Sequence, residues 1–459
     1  MFSAYAYVRW VGPLAMGLVL LGVAPSAAHA TAAPVRDDFN GDGYRDLVVG
    51  APQATVGGLD KAGEVAVMYG GPHGLSKSRR TVISRTTDGI PGSPAKDEGF
   101  GIQVSKGDLN GDGYADLVAG VGSTADAVIV WGGPNGLSGN GTSVPAANTQ
   151  TGDFDGDGRL DLALFRTERT HHDDPSGTEG TIWKGPVTRT GTPSATTAIE
   201  PHGYIRAIEV WDGTTGDVNG DGRDDLALDV YCGEGYFCVQ LYIGTASGPK
   251  YVAEAQSGGV AAALGDVNGD GYDDLVTGDS QNERIVVGHG SAAGLAPQAT
   301  WTSYTQNTPG VPGARETGDA FGAAVAVGDI TGDGIDDVAV GVPNESVGSV
   351  QGAGTVDILR GGRAGLTGTG AQGVTQNTRA VPGASEYADA FGGAVQLLDI
   401  NGNGYADLAA GAPGENSKVG AVWELRGRPT GVVPDAALVF GPRGIGAAYA
   451  KAAFGAELD

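Results

Sequence analysis

A nine-residue pattern recurs seven times along the chain, and its period limits the fold more than any other feature. It reads DFNGDGYRD from Asp38, DLNGDGYAD from Asp108, DFDGDGRLD from Asp153 and DVNGDGRDD from Asp217. It returns as DVNGDGYDD from Asp266, DITGDGIDD from Asp329 and DINGNGYAD from Asp399. The spacings are 70, 45, 64, 49, 63 and 70 residues, about 60 on average. A period of that size points to a solenoid, a propeller or an array of stacked units. Each copy runs directly into a short apolar stretch, such as LVVGAP, LALFRT, VAVGVP or LAAGAP. Such stretches read as buried strands. Second strand-like runs follow in GEVAVMYGG, DAVIVWGG and GTVDILRGG, and GFGIQVSKG, AFGAAVAVG and AFGGAVQLL precede three of the copies. The nine-residue loop therefore joins two strands.

The loop has the spacing of a cation site. Oxygen ligands at positions 1, 3, 5 and 9, with the carbonyl of position 7, can converge on one point, and Ca²⁺ takes six to eight oxygens in flexible geometry. Glycine at position 6 permits the sharp turn. The candidate ligands of the first two loops are Asp38, Asn40, Asp42, Tyr44 and Asp46, then Asp108, Asn110, Asp112, Tyr114 and Asp116. The third and fourth offer Asp153, Asp155, Asp157, Arg159 and Asp161, then Asp217, Asn219, Asp221, Arg223 and Asp225. The fifth and sixth offer Asp266, Asn268, Asp270, Tyr272 and Asp274, then Asp329, Thr331, Asp333, Ile335 and Asp337. The seventh offers Asp399, Asn401, Asn403, Tyr405 and Asp407. Up to seven Ca²⁺ are expected, the third site tightest and the seventh weakest, because the third has four carboxylates and the seventh two. Plain Asn-Gly and Asp-Gly turns are the alternative, but these need only one or two polar residues. EF-hand loops begin the same way but place an acid at position 12. Here position 12 is Val49, Ala119, Leu164, Leu228, Thr277, Val340 or Ala410.

The charge agrees. The chain has 54 acidic and 28 basic residues, a net charge of −26. That excludes a nucleic-acid partner, which needs clustered Lys and Arg. Positions 1, 3, 5 and 9 of the loops hold 21 of the 54 acids, and seven Ca²⁺ would bring the net charge to about −12. The 82 glycines and the absence of long helical periodicity fit an all-β fold with many turns.

The stretches FGIQVSKGDLNGDGYADLVAG and FGAAVAVGDITGDGIDDVAVGVP resemble the FG-GAP repeat of integrin α-subunit propellers and their secreted bacterial relatives. GAP stands at Gly50-Ala51-Pro52 and Gly411-Ala412-Pro413, and GVP at Gly341-Val342-Pro343. The resemblance implies a seven-bladed β-propeller over residues 31–459, with a Ca²⁺ loop between the first and second strands of each blade. The third and fourth repeats lack both FG and GAP, and the first lacks an FG strand. Phe454-Gly455 lies where an eighth repeat would begin, so the C-terminal strand is expected to complete blade 1 and close the ring. The Ala-rich segment GAAYAKAAFGAE also fits a helix; the FG pair at the right offset decides for closure.

Residues 1–30 read as a secretory signal: Arg9, an apolar Val11–Ala24, and Ala28-His29-Ala30 before the expected cleavage. No second run is long enough to span a bilayer. The protein is expected to be secreted, with no membrane span in the mature chain. Cys232 and Cys238 flank a Gly-rich turn and are expected to form a hairpin disulfide. THHDDPSGTEG, from Thr170 to Gly180, clusters His171, His172, Asp173 and Asp174 and is read as a solvent-exposed insertion rather than a metal site. No nucleophile elbow and no HExxH appears. The leading function is an extracellular recognition or adhesion module, not an enzyme, whose partner is a protein or glycan. A propeller-scaffold hydrolase or lyase and a lectin-like binder are the alternatives. Paired carboxylates in the central funnel beside a surface aromatic cluster would favour the enzyme.

Overall fold

The computed structural model describes residues 1, 36–122, 126–166, 169–171, 174–176, 179–199, 209–233, 236–257, 259 and 261–459. The segment read as an export signal lies outside the described residues beyond its first, as do His172 and Asp173 of the histidine-rich stretch.

Seven four-stranded antiparallel sheets follow one another along the chain. Blade 1 is built from Leu47–Ala51, Glu64–Met68 and Arg80–Ile83, and blade 2 from Val104–Gly107, Asp116–Ala119, Ala127–Val130 and Gly141–Val144. Blade 3 comprises Asn148–Gly152, Asp161–Arg166, Glu179–Lys184 and Ala195–Ala198. Blade 4 comprises Glu209–Gly216, Asp225–Gly233, Tyr236–Ile243 and Lys250–Ser257. Blade 5 uses Ala262–Gly265, Asp274–Asp279, Arg284–Gly288 and Thr302–Tyr304, and blade 6 Ala324–Gly328, Asp337–Val342, Thr355–Arg360 and Thr367–Val374. Blade 7 is Ala394–Leu398, Asp407–Ala412, Ala421–Arg428 and Gly431–Phe440. A small hairpin, Arg169–His171 with Asp174–Ser176, is inserted in blade 3. The fold is a seven-bladed β-propeller.

The ring closes as the FG offset implied. Glu457–Leu458 is the innermost strand of blade 1, with Leu458 opposite Val49 and Glu457 opposite Gly50. Phe454 is fully buried against the blade 7 and blade 1 cores, edge-on to Phe440. The Ala-rich segment before it is not a helix: Lys451 and Ala453 have positive φ, which breaks any helical run.

The FG and GAP glycines are seam residues. A Cβ on Gly341 of GVP would stand 2.0 Å from the carbonyl oxygen of Gly392, the FG glycine of the next blade. Gly411 meets Gly455 at the same 2.0 Å, and Gly50 meets Gly101 at 2.5 Å. Neighbouring blades thus touch backbone to backbone, which only glycine allows. The FG phenylalanines Phe100, Phe321, Phe391 and Phe454 fill the space beside each contact and are wholly buried. Each such side chain contributes about 1.5–3 kcal/mol by leaving water.

The first strands of all seven blades surround a central cavity of about 270 Å³. Its wall is polar. Lys106 Nζ lies 3.0 Å from both Asp37 and Asp459, and Gln150 donates to Asp212 at 3.2 Å.

Candidate metal centres

Six of the loops sit where a first strand turns into the second, and the first loop leads into Leu47–Ala51 at the same end, its innermost strand coming from Glu457–Leu458, so all seven lie on one face of the ring. The position 2 residue, Phe39, Leu109, Phe154, Val218, Val267, Ile330 or Ile400, is fully buried and pins the loop to the blade core. The position 1 aspartate then organises the backbone. Asp153 Oδ1 accepts the amides of Gly156 (2.9 Å) and Asp157 (3.0 Å), and its Oδ2 that of Gly158 (2.8 Å). Asp38, Asp108, Asp266 and Asp329 accept the same three amides. Position 5 accepts the amide of position 7, as Asp112 does from Tyr114 at 3.2 Å. The loop is a stack of Asx turns.

Positions 1, 3 and 5 converge in the third loop, where ligand oxygens of Asp153, Asp155 and Asp157 all lie within 4.8 Å of one another. Position 9 is placed differently. One oxygen of every position 9 carboxylate accepts the amide of the glycine ending the third strand: Gly70, Gly132, Gly185, Gly244, Gly290, Gly361 or Gly427, at 2.7–3.0 Å. In loops 1, 2 and 4 the second oxygen takes the position 2 amide. These carboxylates are therefore also struts between strands. Burial pushes Asp46, Asp116, Asp161 and Asp225 up to about 7. Asp161 Oδ2 is buried without a hydrogen-bond partner. An all-oxygen donor set with an orphaned carboxylate oxygen beside three converging acids fits Ca²⁺.

Basic partners, which the repeat pattern did not reveal, stand at each loop. Arg79 pairs with Asp42, Arg189 with Asp112 (2.8 Å), Lys184 with Asp155 (2.8 Å) and Arg223 with Asp221 (3.0 Å). His289, Arg360 and Arg426 pair with the position 9 acids Asp274, Asp337 and Asp407 at 3.1, 3.2 and 3.3 Å. All but Arg223 come from beyond the loop itself, so spacing within the repeat carries no trace of them.

The loops also interlock. Except at Gly111, which has nothing within 4 Å, the position 7 side chain covers the position 4 glycine of the preceding loop: a Cβ on Gly41 would meet Tyr114 at 2.6 Å, one on Gly220 Tyr272 at 2.7 Å, and one on Gly332 Tyr405 at 2.5 Å. Tyr44 covers Gly402 across the closure. The position 8 amides of Ala115, Asp224, Asp273, Asp336 and Ala406 bond to the position 1 carbonyl of the preceding loop.

Cys232 and Cys238 form the expected disulfide at the tip of the blade 4 hairpin. Around it, Trp211, Tyr231 and Phe237 make an aromatic cluster with centroids 5.3–6.2 Å apart, and Trp211 is 40 % exposed. Asp212 lines the central cavity and lies directly opposite Asp229 on the neighbouring strand. Burial and the facing Asp212 lift Asp229 well above the carboxylate range, and burial pushes Asp212 up to about 7.

The model of the FG-GAP repeat matches residues 30–68, 100–143, 258–287, 321–359 and 391–425, within blades 1, 2, 5, 6 and 7. Integrin alpha-4 of Xenopus laevis is 35% identical over 27% of this chain and 11% of its own length. Integrin alpha-PS2 of Drosophila melanogaster is 29% identical over 34% of this chain and 12% of its own. Phosphatidylinositol-glycan-specific phospholipase D of Rattus norvegicus is 40% identical over 22% of this chain and 11% of its own. The matches thus span about a tenth of each relative. The third and fourth blades, which the repeat model does not match, lack both FG and GAP; the fifth lacks both as well and is matched over residues 258–287. Among the described residues no helix is long and apolar enough to cross a membrane. The chain is a seven-bladed β-propeller carrying FG-GAP repeats and similar in sequence to integrin α-subunits.

Proposed function

We propose that the chain is a secreted, calcium-binding recognition or adhesion module whose ligand is an extracellular protein or glycan. The observation that carries the calcium reading is the ring of seven acidic Asx-turn loops on one face, each in contact with a neighbour. Bound Ca²⁺ would neutralise the clustered carboxylates and tie each loop to its blade. Asp153, Asp155, Asp157 and Asp161 make the third site the tightest. The seventh is the weakest, because Asp399 and Asp407 are its only carboxylates and Asn401 Nδ2 already donates to Asp407 at 2.6 Å. The integrin relatives and the signal-like residues 1–30 support the extracellular setting. The module is tested by surface binding to a panel of matrix proteins and glycans, with Ca²⁺ and with chelator. Retention that chelator abolishes supports the reading, and retention that is blind to Ca²⁺ counts against it.

One observation favours a second reading. Asp212 lines the central cavity opposite the buried Asp229, and Trp211 and Tyr231 of the aromatic cluster are near them in sequence, an arrangement that suits a propeller-scaffold hydrolase or lyase. Turnover of a glycan or phospholipid that disappears in Asp212→Asn, with no binding to the panel, would replace the first reading by the second.

A further inference from the structure

Three of the seven loops end in paired aspartates, and only the second of each pair is a candidate ligand. Position 8 is Asp224, Asp273 and Asp336 in the fourth, fifth and sixth loops, against Arg45, Ala115, Leu160 and Ala406 in the others. Each of the three acids reaches back to the loop before it. Asp224 Oδ2 accepts the amide of Asp153, Asp273 Oδ2 that of Asp217 at 2.7 Å, and Asp336 Oδ2 that of Asp266 at 3.0 Å. Their own amides donate to the carbonyl oxygens of the same three residues at 3.0, 3.1 and 2.9 Å. A position 8 acid thus holds both the N–H and the C=O of the preceding position 1 aspartate. Ala115 and Ala406, with no side-chain acceptor, make only the second of these bonds.

Glycine makes room for the carboxylate. A Cβ on Gly216, ahead of Asp217, would stand 2.4 Å from Asp273 Oδ2, and one on Gly265, ahead of Asp266, 2.7 Å from Asp336 Oδ2. One on Gly152, ahead of Asp153, would stand 3.1 Å from Asp224 Cβ.

The residue so held is the hub of its loop. Asp217 accepts the amides of Asp221 at 3.1 Å and Gly222 at 2.8 Å, and Asp266 those of Gly269, Asp270 and Gly271 at 2.7–3.0 Å. It is also the first candidate ligand. Fixing its backbone at both ends sets where its carboxylate points before an ion arrives, and a ligand set fixed in advance binds more tightly because less freedom is lost. The acid at position 8 is placed in turn by its neighbour. Position 9 is a candidate ligand of the later loop and a strut to its third strand: Asp225 to Gly244, Asp274 to Gly290 and Asp337 to Gly361. An ion in the later loop orders position 9, and with it the hold on the loop before.

We propose that Asp224, Asp273 and Asp336 are positioning residues, outside the ligand sets, that couple neighbours among the third to sixth calcium loops, so that filling one raises the affinity of the loop beside it. The coupling is reciprocal, as any coupling of binding free energies must be. The other four junctions of the ring lack the acid and are coupled less.

The coupling presupposes calcium in the loops, and the test tells the two apart. In ¹H–¹⁵N spectra of the full chain, the Gly222 amide reports on the fourth loop and the Gly43 amide on the first, since each donates to its hub aspartate at 2.8 Å. Asp224 also pairs with Arg36, so Asp273 is the cleaner residue to change. Asp273→Ala leaves every candidate ligand of the fourth loop in place, yet the Ca²⁺ midpoint at Gly222 should rise about tenfold, the order of one charge-assisted hydrogen bond, with the Gly43 midpoint unchanged. Asp273→Asn, which keeps an acceptor oxygen without the charge, should recover a clear part of the loss. An unmoved Gly222 midpoint in Asp273→Ala overturns the proposal and leaves the loops as calcium sites. An asparagine variant as weak as the alanine one overturns it too, because the acid would then act through its charge alone. Absence of any Ca²⁺-dependent shift at either glycine in the parent defeats the calcium reading itself, and the coupling with it. Should Asp273→Ala fail to fold, Asp336→Ala read at Gly271 of the fifth loop makes the same test.

Discussion

Blade 6 and blade 4 solve the same packing problem in opposite ways. Blade 6 has both signature pairs, and its glycines bring its backbone against that of blade 7, Gly341 to Gly392. Its first two strands need only five and six residues. Blade 4 has neither FG nor GAP, and its four strands run to eight or nine residues, with a disulfide at one hairpin tip and an aromatic cluster on its surface. Close glycine contact makes a compact seam from short strands. Blade 4 gains contact through length and cross-strand side-chain pairs instead, whereas blade 3, which also lacks both pairs, keeps strands of four to six residues. The irregular blade holds features a repeat would not supply: the exposed Trp211 and the Asp212–Asp229 pair.

The largest expected effect tests the glycine seams where the chain closes on itself. Deleting Ala453–Asp459 removes Phe454 and the innermost strand of blade 1. Loss of a buried Phe alone costs about 3–5 kcal/mol, against the ~5–15 kcal/mol that holds most domains together. Calorimetry should show the cooperative transition lost or moved far down in temperature. A truncated chain melting within a degree or two of the parent would mean that the closing strand is ornamental.

A single methyl at a seam should come next. Gly341→Ala places a Cβ 2.0 Å from the Gly392 carbonyl, whereas Gly133→Ala meets nothing within 4 Å. Overpacking of this kind costs about 1–3 kcal/mol, so urea unfolding should separate the two variants clearly. Equal stabilities would show that the seam yields and that the comparison with blade 4 is mistaken.

The smallest effect sharpens the other side. Asp212 has its folded pKa raised to about 7, chiefly by burial. Such a group favours the folded state fully below its unfolded pKa near 4, and that contribution is lost as pH rises through about 7. In chelator, the parent's melting temperature should therefore fall more steeply between pH 4 and 7 than that of Asp212→Asn. The groups facing Asp212 are Gln150, Gln103, Asp229, Glu457 and Asp459. Parallel pH profiles for the two proteins would remove Asp212 from the account.

What the sequence made legible was whatever lies in one short stretch. The seven loops, the apolar strands after them, the closing FG pair and the Cys232–Cys238 bridge all depend on neighbours within a few residues. The seven-bladed ring followed from counting them. The rest rests on contacts between distant segments. Nothing in DFDGDGRLD announces Lys184 on Asp155, and nothing in VYCGEGYFC announces that Asp229 faces Asp212. The position 9 acids were read as ligands, and their bonds to the third-strand glycines show why they are also struts: Asp46 and Gly70 are 24 residues apart.

The central claim is that the acidic loops are calcium sites that hold the ring together, and calorimetry of the full chain at fixed pH tests it directly. A ligand that binds only the folded state raises stability by mass action, about 2.7 kcal/mol at a hundredfold excess over its dissociation constant. The account predicts a melting temperature that climbs as Ca²⁺ is added, returns to its starting value with chelator, and climbs less when Asp153→Ala removes the hub of the third loop. A melting temperature that ignores both Ca²⁺ and chelator would contradict it.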